Sequence, residues 1–461
     1  MAAILIVTLG TSDINIDKSF IEALASETEM STLYHPKTGR LLARPIGEFI
    51  LKHYDKLKKE VVFPILSPCF NFLKKNEIPS KVILVVTNQE HPIFSKQDTI
   101  HYAEIVKRLI PERLDKSVEV EKIIQITDNV TFLDNMYDWF GQVFNKKPLN
   151  HLSSFDTIYL LNQGGIDAIN TALLLQIIPV AGDKLVHLAV SEQTYECHEL
   201  EFSLQFMQQN EKIKLKSFVE QYDYAAIKTL NTASDIKNIA QYAQARLHFD
   251  FDSALLACQR ISREQRSFQV KFINELNAIT GEEQDSLIRE LYSNAVIKVR
   301  QESYVDFLLR IFRITEHIAK SEVLKIMNIS HKQYDFRKWS STIEDFVIKP
   351  ENIDLKVFLD NYKLGNDSLD RSMANIKVFI SILKYYNHST LSILLATEAL
   401  SQMRNKSIGA HDFQPVSRVL IEKKLEEHDT NLNQLLDEIG QFLNCQNNPF
   451  DEINKKILSL L

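Results

Sequence analysis

Arg404 and His411, near the end of the chain, are the residues whose types and spacing best suit chemistry on a phosphodiester. They bound the stretch Arg404-Asn405-Lys406-Ser407-Ile408-Gly409-Ala410-His411, which follows an apolar segment with helical spacing. A permanently charged guanidinium can hold a phosphate and the negative charge that grows on it, and an imidazole that titrates near neutrality can move the proton. Chemistry of this kind requires no metal ion.

The spacing allows Arg404 and His411 to converge in two ways. In an unbroken helix, two turns bring both residues to the same face, about one helical diameter apart. If Gly409 instead ends the helix in a left-handed cap, His411 lies on the turn just beyond it. An ordinary surface pair has the same spacing, so the catalytic interpretation depends on the rest of the chain.

The composition is that of a soluble protein with two or three domains. The 461 residues exceed one ordinary hydrophobic core, and 45% of them are hydrophobic while 25% are charged. The net charge of −7 excludes a global basic field, so any contact with RNA must be a local patch.

The cysteines and the first residues indicate a cytoplasmic protein. Cys69, Cys197, Cys258 and Cys445 are scattered without metal-ligand spacing, which favours buried thiols in a reducing compartment. The apolar run at the N-terminus predicts a buried strand, and neither a signal peptide nor a membrane segment is apparent.

Apolar runs and helical segments alternate in the first part of the chain. This alternation predicts βαβ units and a Rossmann-like parallel sheet, because helices cover both faces of such strands. The predicted strands are residues 3–9, 81–87, 118–126, 157–161 and 184–190, and the predicted helices between them are 99–109, 131–144 and 167–178. Seven of the eleven glycines precede residue 190, so the remainder is predicted to be helical.

Polar loops, two of them with glycine, follow three of the predicted strands, at the edge where open α/β sheets bind ligands. Glycine lets backbone amides approach a phosphate, and hydroxyl and amide side chains add neutral donors. No GxGxxG or GxxxxGK[ST] pattern occurs, so nicotinamide dinucleotides and nucleoside triphosphates are poor candidates. The candidate ligand-binding residues are Gly10, Thr11, Ser12 and Asp13, then Asn88 and Gln89, and finally Asn162, Gln163, Gly164, Gly165 and Ile166.

The chain changes character after residue 190. Residues 194–206 alternate like a hairpin or edge strands, and a linker or boundary is predicted near 207–220. Helical spacing dominates beyond it, which gives a predicted division into residues 1–210, a helical linker region at 211–260, and a helical domain at 261–461. Arg310 and Arg313 on one predicted helix could face an RNA groove, but an ordinary surface or ion-pair role is favoured for them. His388 is a supporting candidate close to the motif helix.

With these pieces in order, the chain resembles the CARF–HEPN ribonucleases of type III CRISPR immunity. In the sensor the resemblance rests on Thr8-Leu9-Gly10-Thr11-Ser12-Asp13 and on the Asn162-Gln163-Gly164-Gly165 loop. In the nuclease it rests on Arg404-Asn405 through His411, at the upper limit of the family's Arg–His spacing. The implied fold class is α/β plus all-α, with a CARF sheet followed by a helical HEPN domain.

The resemblance implies a ligand and an output. The ligand is a cyclic oligoadenylate from the activated CRISPR effector complex, and the output is metal-independent cleavage of single-stranded RNA in antiviral defence. We expect the RNA 2′-hydroxyl to attack the adjacent phosphorus, with Arg404, Asn405 and His411 as the catalytic residues. One His does not account for a fast nuclease, so a homodimer with a composite site is expected. The departure from the family's commoner sensor loop at residues 163–166 leaves the ring size of the activator open.

Three alternatives remain at this point. A non-enzymatic nucleotide-sensing regulator would bind DNA or a protein partner through its helical part, although the region after Pro415 lacks a basic recognition helix. A Rossmann oxidoreductase is disfavoured by the missing dinucleotide fingerprint. A metal-dependent nuclease is disfavoured because no carboxylate cluster with a nearby Lys stands out.

Overall fold

The computed structural model of the protein describes residues 2–146, 149–281, 284–330, 334–364, 367–408 and 412–461. The chain divides into two compact units, Met1–Asn210 and Glu211–Leu461. The three-part division predicted from the sequence stays a prediction.

The first unit is built on a six-stranded sheet with the order β3-β2-β1-β4-β5-β6. Strands β1 to β5 are parallel and β6 is an antiparallel edge strand. The α/β class with a Rossmann-like parallel sheet, followed by a helical region, is confirmed, and each of the five predicted strands is present. The strands are β1 (Ala3–Thr8), β2 (Lys81–Thr87), β3 (Glu119–Ile126), β4 (Thr157–Leu161), β5 (Leu185–Val190) and β6 (Cys197–Glu199).

Helices cover both faces of this sheet, which explains why all six residues of β1 are buried. Alternate residues of a strand point to opposite faces. Leu5 and Val7 accordingly join one core, and Ile4 and Ile6 join the other. The helices of this unit are α1 (Lys18–Glu22), α2 (Glu27–Leu33), α3 (Ala43–Lys52), α4 (Tyr54–Leu57), α5 (Leu66–Lys75), α6 (Ile100–Arg113), α7 (Leu133–Phe144) and α8 (Asp167–Ala181).

The long insert between β1 and β2 packs on the face that α6 also covers. Its helices α1 to α5 contribute buried side chains to the core of Leu5 and Val7, whereas α7 and α8 cover the core of Ile4 and Ile6. The insert therefore thickens one side of the sheet and brings α3 alongside α6.

The region after the sheet differs from the prediction. Only residues 197–199 pair as an edge strand, and the helix α9 (Phe202–Glu220) begins within the predicted hairpin. The stretch 207–220, where a linker or boundary is predicted, is helical throughout. An alternating pattern over a few residues does not separate an edge strand from the first turns of an amphipathic helix.

In the residues of the second unit that the structure describes, the strands are those of one short pair, β7 (Lys363–Leu364) and β8 (Asp367–Ser368), and the other regular elements are helices. One core lies around the helices at residues 284–300, 304–326, 376–385 and 391–405. Another joins the helices between residues 202 and 280 to the C-terminal helix at 449–459. Its further helices are α10 (Tyr224–Ile227), α11 (Ser234–Leu247), α12 (Phe251–Gln259), α13 (Arg266–Thr280), α14 (Gln284–Arg300), α15 (Tyr304–Ile326), α16 (Trp339–Val347), α17 (Ile353–Asn361), α18 (Ile376–Tyr385), α19 (Leu391–Asn405), α20 (Arg418–Glu426), α21 (Leu432–Phe442) and α22 (Pro449–Ser459). Within the ranges given above, no helix has the length and apolar character needed to span a membrane.

Candidate functional site

The loops after β1 and β4 touch each other, because β1 and β4 are neighbours in the sheet. A Cβ atom added to Gly10 would lie 2.1 Å from the backbone nitrogen of Gly165. A Cβ atom added to Gly164 would lie 2.8 Å from the carbonyl oxygen of Thr8, whose hydroxyl donates to the Gly164 carbonyl over 2.7 Å. Both glycines are therefore required by the close approach of two backbones.

This contact occurs where the strand order reverses. Strands β2 and β3 lie on one side of β1, and β4 to β6 lie on the other, so the crevice for a ligand opens between β1 and β4. A cavity of about 180 Å³ lies there, lined among others by Thr11, Gly165 and Ile166. The first turn of α8 borders it through Ile169, and the dipole of a helix favours an anion at its N-terminus.

Asp13 lies beneath this loop and is buried. Its Oδ2 accepts a hydrogen bond from the backbone nitrogen of Gly10. Burial raises the pKa of Asp13 to about 7, although the hydrogen bond from Gly10 acts in the opposite direction. The charge below the crevice therefore changes near neutral pH. Thr11 and Ser12 are exposed and leave their hydroxyls at the surface of the loop.

The side chains of Asn162 and Gln163 bind the protein itself. Asn162 donates to the carbonyl of Asn170 over 2.9 Å, and its Oδ1 lies 2.7 Å from Nε2 of His187. Burial lowers the pKa of His187, so the neutral ring donates from Nε2 to Asn162. Gln163 donates to the carbonyl of Val190 and accepts from its nitrogen, both over 2.7 Å. These bonds tie both side chains to the protein, and the ligand contact predicted for the two residues stays a prediction.

Asn88 and Gln89 belong to a polar network that the sequence analysis missed. Arg44 donates to Asn88 Oδ1 over 2.7 Å and to Asp98 Oδ2 over 2.9 Å. Gln89 donates its side-chain amide to Asp98 Oδ1 over 2.9 Å. Asp98 is fully buried, so its charge is compensated by Arg44. Arg44 comes from the insert, and no spacing in the sequence connects it to the loop after β2.

A second cavity, of about 960 Å³, lies beside the crevice. It shares Gln89, Gln97 and Ile166 with the smaller cavity, so the two cavities adjoin. The segments 89–97 and 127–132, which follow β2 and β3, supply most of its lining. Of the residues that line this cavity, Gln89 and Ile166 are the two that the sequence predicts as ligand-binding candidates.

In the second unit, Arg404 lies in the last turn of α19. The helix ends at Asn405, so the unbroken-helix arrangement of Arg404 and His411 is wrong. Gly409, Ala410 and His411 lie outside the described residues. The segment before them is held by Ser407, whose hydroxyl donates to the Arg404 carbonyl over 2.8 Å. The nitrogen of Gln414 donates to the Lys406 carbonyl over 2.8 Å, which joins the chain on either side.

The guanidinium of Arg404 is held in place from two sides. Its Cζ lies 3.7 Å from the centroid of the Phe312 ring on α15, a cation–π contact. Asn405 Oδ1 accepts from Nε over 3.1 Å and from Nη2 over 2.5 Å. Burial, and then the neighbouring Arg313, lower the pKa of Arg404, which still stays charged because a guanidinium keeps its proton in proteins. Arg404 is therefore an oriented cation that is partly open to solvent.

The secondary candidates have different surroundings. Arg310 donates to Asn294 Oδ1 over 2.5 Å and to the Asp306 carbonyl over 2.9 Å, so it serves the packing of α14 on α15. Arg313 is exposed on the same helix and pairs with Glu316 over 3.0 Å. His388 precedes α19, whose 15 residues extend for about 22 Å, so it lies at the opposite end from Arg404.

No group of three or more His, Cys, Asp or Glu side chains that could hold a metal ion occurs in the part of the chain that the structure describes.

Known proteins are similar to this chain in sequence and in fold over most of its length. No family model matches the sequence. The chain is 23% identical over 435 residues to the CRISPR system endoribonuclease Csm6 of Streptococcus thermophilus, covering 84% of this chain and 94% of that protein. Its fold is similar to that of Enterococcus italicus Csm6 bound to cyclic hexa-2′-fluoro-hexa-dAMP, with a TM-score of 0.58, 16% identity and full coverage of both chains. The resemblance to the CARF–HEPN ribonucleases of type III CRISPR systems is thereby confirmed.

Proposed function

We propose that this protein is an endoribonuclease activated by a cyclic oligoadenylate, and that it cleaves single-stranded RNA in the cytoplasm during antiviral CRISPR defence. The observation that carries the proposal is the state of Arg404. It is a cation fixed by Phe312 and Asn405, partly open to solvent, immediately before the segment that contains His411. The similarity to Csm6 over most of the chain supports the same activity.

The proposed reaction is an intramolecular transfer. The RNA 2′-oxygen forms a bond to the adjacent phosphorus while the bond from phosphorus to the 5′-oxygen breaks, which leaves a 2′,3′-cyclic phosphate and a 5′-hydroxyl. His411 takes the proton of the 2′-hydroxyl or supplies the proton of the leaving oxygen. Arg404 stabilises the negative charge of the phosphorane, and Asn405 orients Arg404. These roles supply both charge and proton transfer without a metal ion.

A homodimer would complete both sites. One histidine provides about 100- to 10,000-fold of rate enhancement, so two Arg–His sets around one phosphate give a stronger catalyst. A two-fold axis also suits a ring-shaped activator that spans two crevices between β1 and β4. The activator regulates cleavage only if it binds one dimer arrangement more tightly than the other.

A direct test incubates the full-length protein with fluorogenic single-stranded RNA in EDTA, either alone or with cyclic tetra-adenylate or cyclic hexa-adenylate. We expect cleavage with one of the two rings and products that end in a 2′,3′-cyclic phosphate, identified by mass spectrometry. Tight binding of a ring without RNA cleavage would favour the non-enzymatic regulator. Failure of both rings to bind would contradict the proposed function.

A further inference from the structure

A groove of the second unit lies beside Arg404, at the end of α19. Its volume is about 220 Å³, and Met403 and Gln414 are among the residues that line it. Met403 directly precedes Arg404 on α19, and the nitrogen of Gln414 donates to the Lys406 carbonyl over 2.8 Å. The chain just before Arg404 and the chain shortly after His411 therefore form the walls of the groove together. A molecule in this groove lies next to the candidate nuclease site.

The charged groups of the groove have an excess of positive charge. Lys423 and Lys424 of α20 line it together with Glu427, so two ammonium groups are present for one carboxylate. Lys424 pairs with Glu427, and Lys423 is exposed. Because the chain as a whole has a net charge of −7, contact with RNA requires a local basic patch of this kind.

Exposed apolar side chains flank, in the sequence, the segment that contains His411. Phe413, Val419 and Ile408 expose 86%, 75% and 73% of their surface, the largest values among the exposed large hydrophobic residues in the described part of the chain. A single exposed apolar side chain is ordinary, but three between residues 408 and 419 indicate a surface that a ligand or partner covers.

The charges favour the RNA substrate over a second copy of the chain as the molecule that covers this surface. In a two-fold dimer the same surface of each copy faces the other, so the lysines of one groove would approach those of the second groove. Like charges oppose such a contact. Single-stranded RNA instead brings negative phosphates and flat bases, which a basic groove with an exposed aromatic ring binds.

We propose that this groove binds the RNA beside the scissile phosphate, with Lys423 and Lys424 at the backbone phosphates and the Phe413 ring stacked on a base. The inference rests on the proposed function and adds residues that bind the substrate at the same site. Arg404 and His411 act on the phosphate that reacts, whereas the groove holds the neighbouring nucleotides. Contacts to phosphates and stacking both tolerate any sequence, so the groove contributes affinity without a strong base preference.

The test measures binding of a non-cleavable single-stranded RNA with 2′-O-methyl riboses to the full-length protein, alone and with cyclic tetra-adenylate or cyclic hexa-adenylate. Lys423→Gln/Lys424→Gln keeps two long polar side chains but removes both charges. We expect its dissociation constant for the RNA to rise roughly tenfold at about 0.1 M salt. The slope of log affinity against log salt concentration should become shallower by about 1.4, or about 0.7 for each lost contact with a phosphate of a single strand.

The matched control is Lys455→Gln/Lys456→Gln on α22. These lysines are also adjacent on a helix of the second unit, one of each pair is exposed and the other half-buried, and neither Lys455 nor Lys456 lines the groove. The control should keep the affinity and the salt dependence of the wild type. Both double variants should keep the melting temperature and the sedimentation coefficient of the wild type.

Two further readouts examine the ring and the role of the groove in cleavage. Phe413→Leu should weaken RNA binding at least about fivefold because stacking is lost, whereas Phe413→Tyr, which keeps a ring, should bind like the wild type. In cleavage of fluorogenic RNA, the lysine variant should have a higher KM and a kcat within about twofold of the wild type, because the groove binds substrate and transition state equally.

The possible failures are distinguishable. If the wild type cleaves RNA while the Lys423→Gln/Lys424→Gln variant keeps its affinity and its salt dependence, the groove inference is overturned and the proposed function stands. Dissociation of this variant into smaller species, with the control unchanged, would show that a second copy occupies the groove and would also overturn the inference. If the wild type binds the non-cleavable RNA through these lysines but cleaves no RNA with either ring, the groove stands and the proposed function falls. If the wild type neither binds nor cleaves RNA, both proposals fall.

Discussion

The two candidate sites are formed by different groups, one by backbone and the other by side chains. The crevice of the first unit is made of backbone, where the loops after β1 and β4 meet over a buried carboxyl group. The site of the second unit is made of side chains at the end of a helix, with Arg404 resting on Phe312. A site made of backbone depends on strand order and on glycine, whereas a site made of side chains depends on individual functional groups. Substitutions should therefore affect the two sites in different ways.

The largest expected effect is the loss of RNA cleavage in Arg404→Ala. Removal of one donor to the charge that develops in a transition state typically lowers the rate about 100- to 1,000-fold. The activator should bind this variant as it binds the wild type, because Arg404 belongs to the second unit and the candidate ligand loops belong to the first. Cleavage of fluorogenic RNA and calorimetric binding of the cyclic oligoadenylate measure the two properties separately.

The matched control is Arg337→Ala, which removes another exposed guanidinium of the second unit, paired with Asp335. It should cleave RNA at the wild-type rate. His411→Ala is expected to behave like Arg404→Ala, and full activity in either variant would refute the assignment of the nuclease site.

The next largest effect is expected for Gly10→Ala, which should damage the crevice through its backbone. The added Cβ would lie 2.1 Å from the nitrogen of Gly165, so the two loops must separate. Overpacking of this kind costs about 1–3 kcal/mol, and we expect the activator to bind at least tenfold more weakly. The melting temperature and the dissociation constant of the activator measure the two consequences.

Gly141→Ala provides the control for Gly10→Ala. Gly141 lies on α7, and its Cβ would approach only the end of the Gln176 side chain. Alanine is favoured over glycine inside a helix, so this variant should be equal to the wild type or more stable. If Gly10→Ala binds the activator as tightly as the wild type, the contact between Gly10 and Gly165 is not part of the binding site.

The difference between the sites also explains how far the sequence could predict them. Buried strands are continuous apolar runs, so the strands and the glycine loops after them could be identified. The contact between the two loops depends on β1 lying next to β4 in the sheet, and no local sequence pattern predicts that arrangement. The pairing of Arg44 with Asp98 and the binding of Gln163 to Val190 are likewise contacts between distant parts of the chain. Such contacts decide whether a polar side chain faces a ligand or the protein.

In the second unit, the sequence indicated the motif from Arg404 to His411 but not the residue that holds Arg404 in place. The sequence left open whether the helix continues to His411 or ends at Gly409, and α19 ends at Asn405. Ser407 and Gln414 bind the carbonyls of Arg404 and Lys406 just beyond this end. Phe312, which orients Arg404, has the spacing of an ordinary helix residue. The roles of Arg404, Asn405 and His411 therefore stay a prediction that depends on experiment.

The smallest expected effect is a pH dependence of activator binding through Asp13. Burial raises the pKa of Asp13 to about 7 from an ordinary value of 3.8. Below pH 7 the carboxyl group is mostly neutral, and above it a negative charge forms beneath the loop for which phosphate binding is predicted. We expect the affinity for the activator to fall about fivefold between pH 6 and pH 8, the equivalent of ~1 kcal/mol.

The titration of Asp13 also determines whether the stability of the protein rises or falls with pH. Between pH 3.8 and about 7 the folded protein keeps a proton on Asp13 that the unfolded chain has lost. Asp13 therefore contributes its full stability below the unfolded pKa, and this contribution decreases as the pH rises through the folded value. Asp13→Asn removes the titration, so its affinity for the activator should stay level from pH 6 to pH 8. Chemical unfolding should show less loss of stability above pH 4 than in the wild type. An equal pH dependence of binding in both proteins would mean that a different group senses the pH, and that the buried carboxyl group only supports the backbone of the loop.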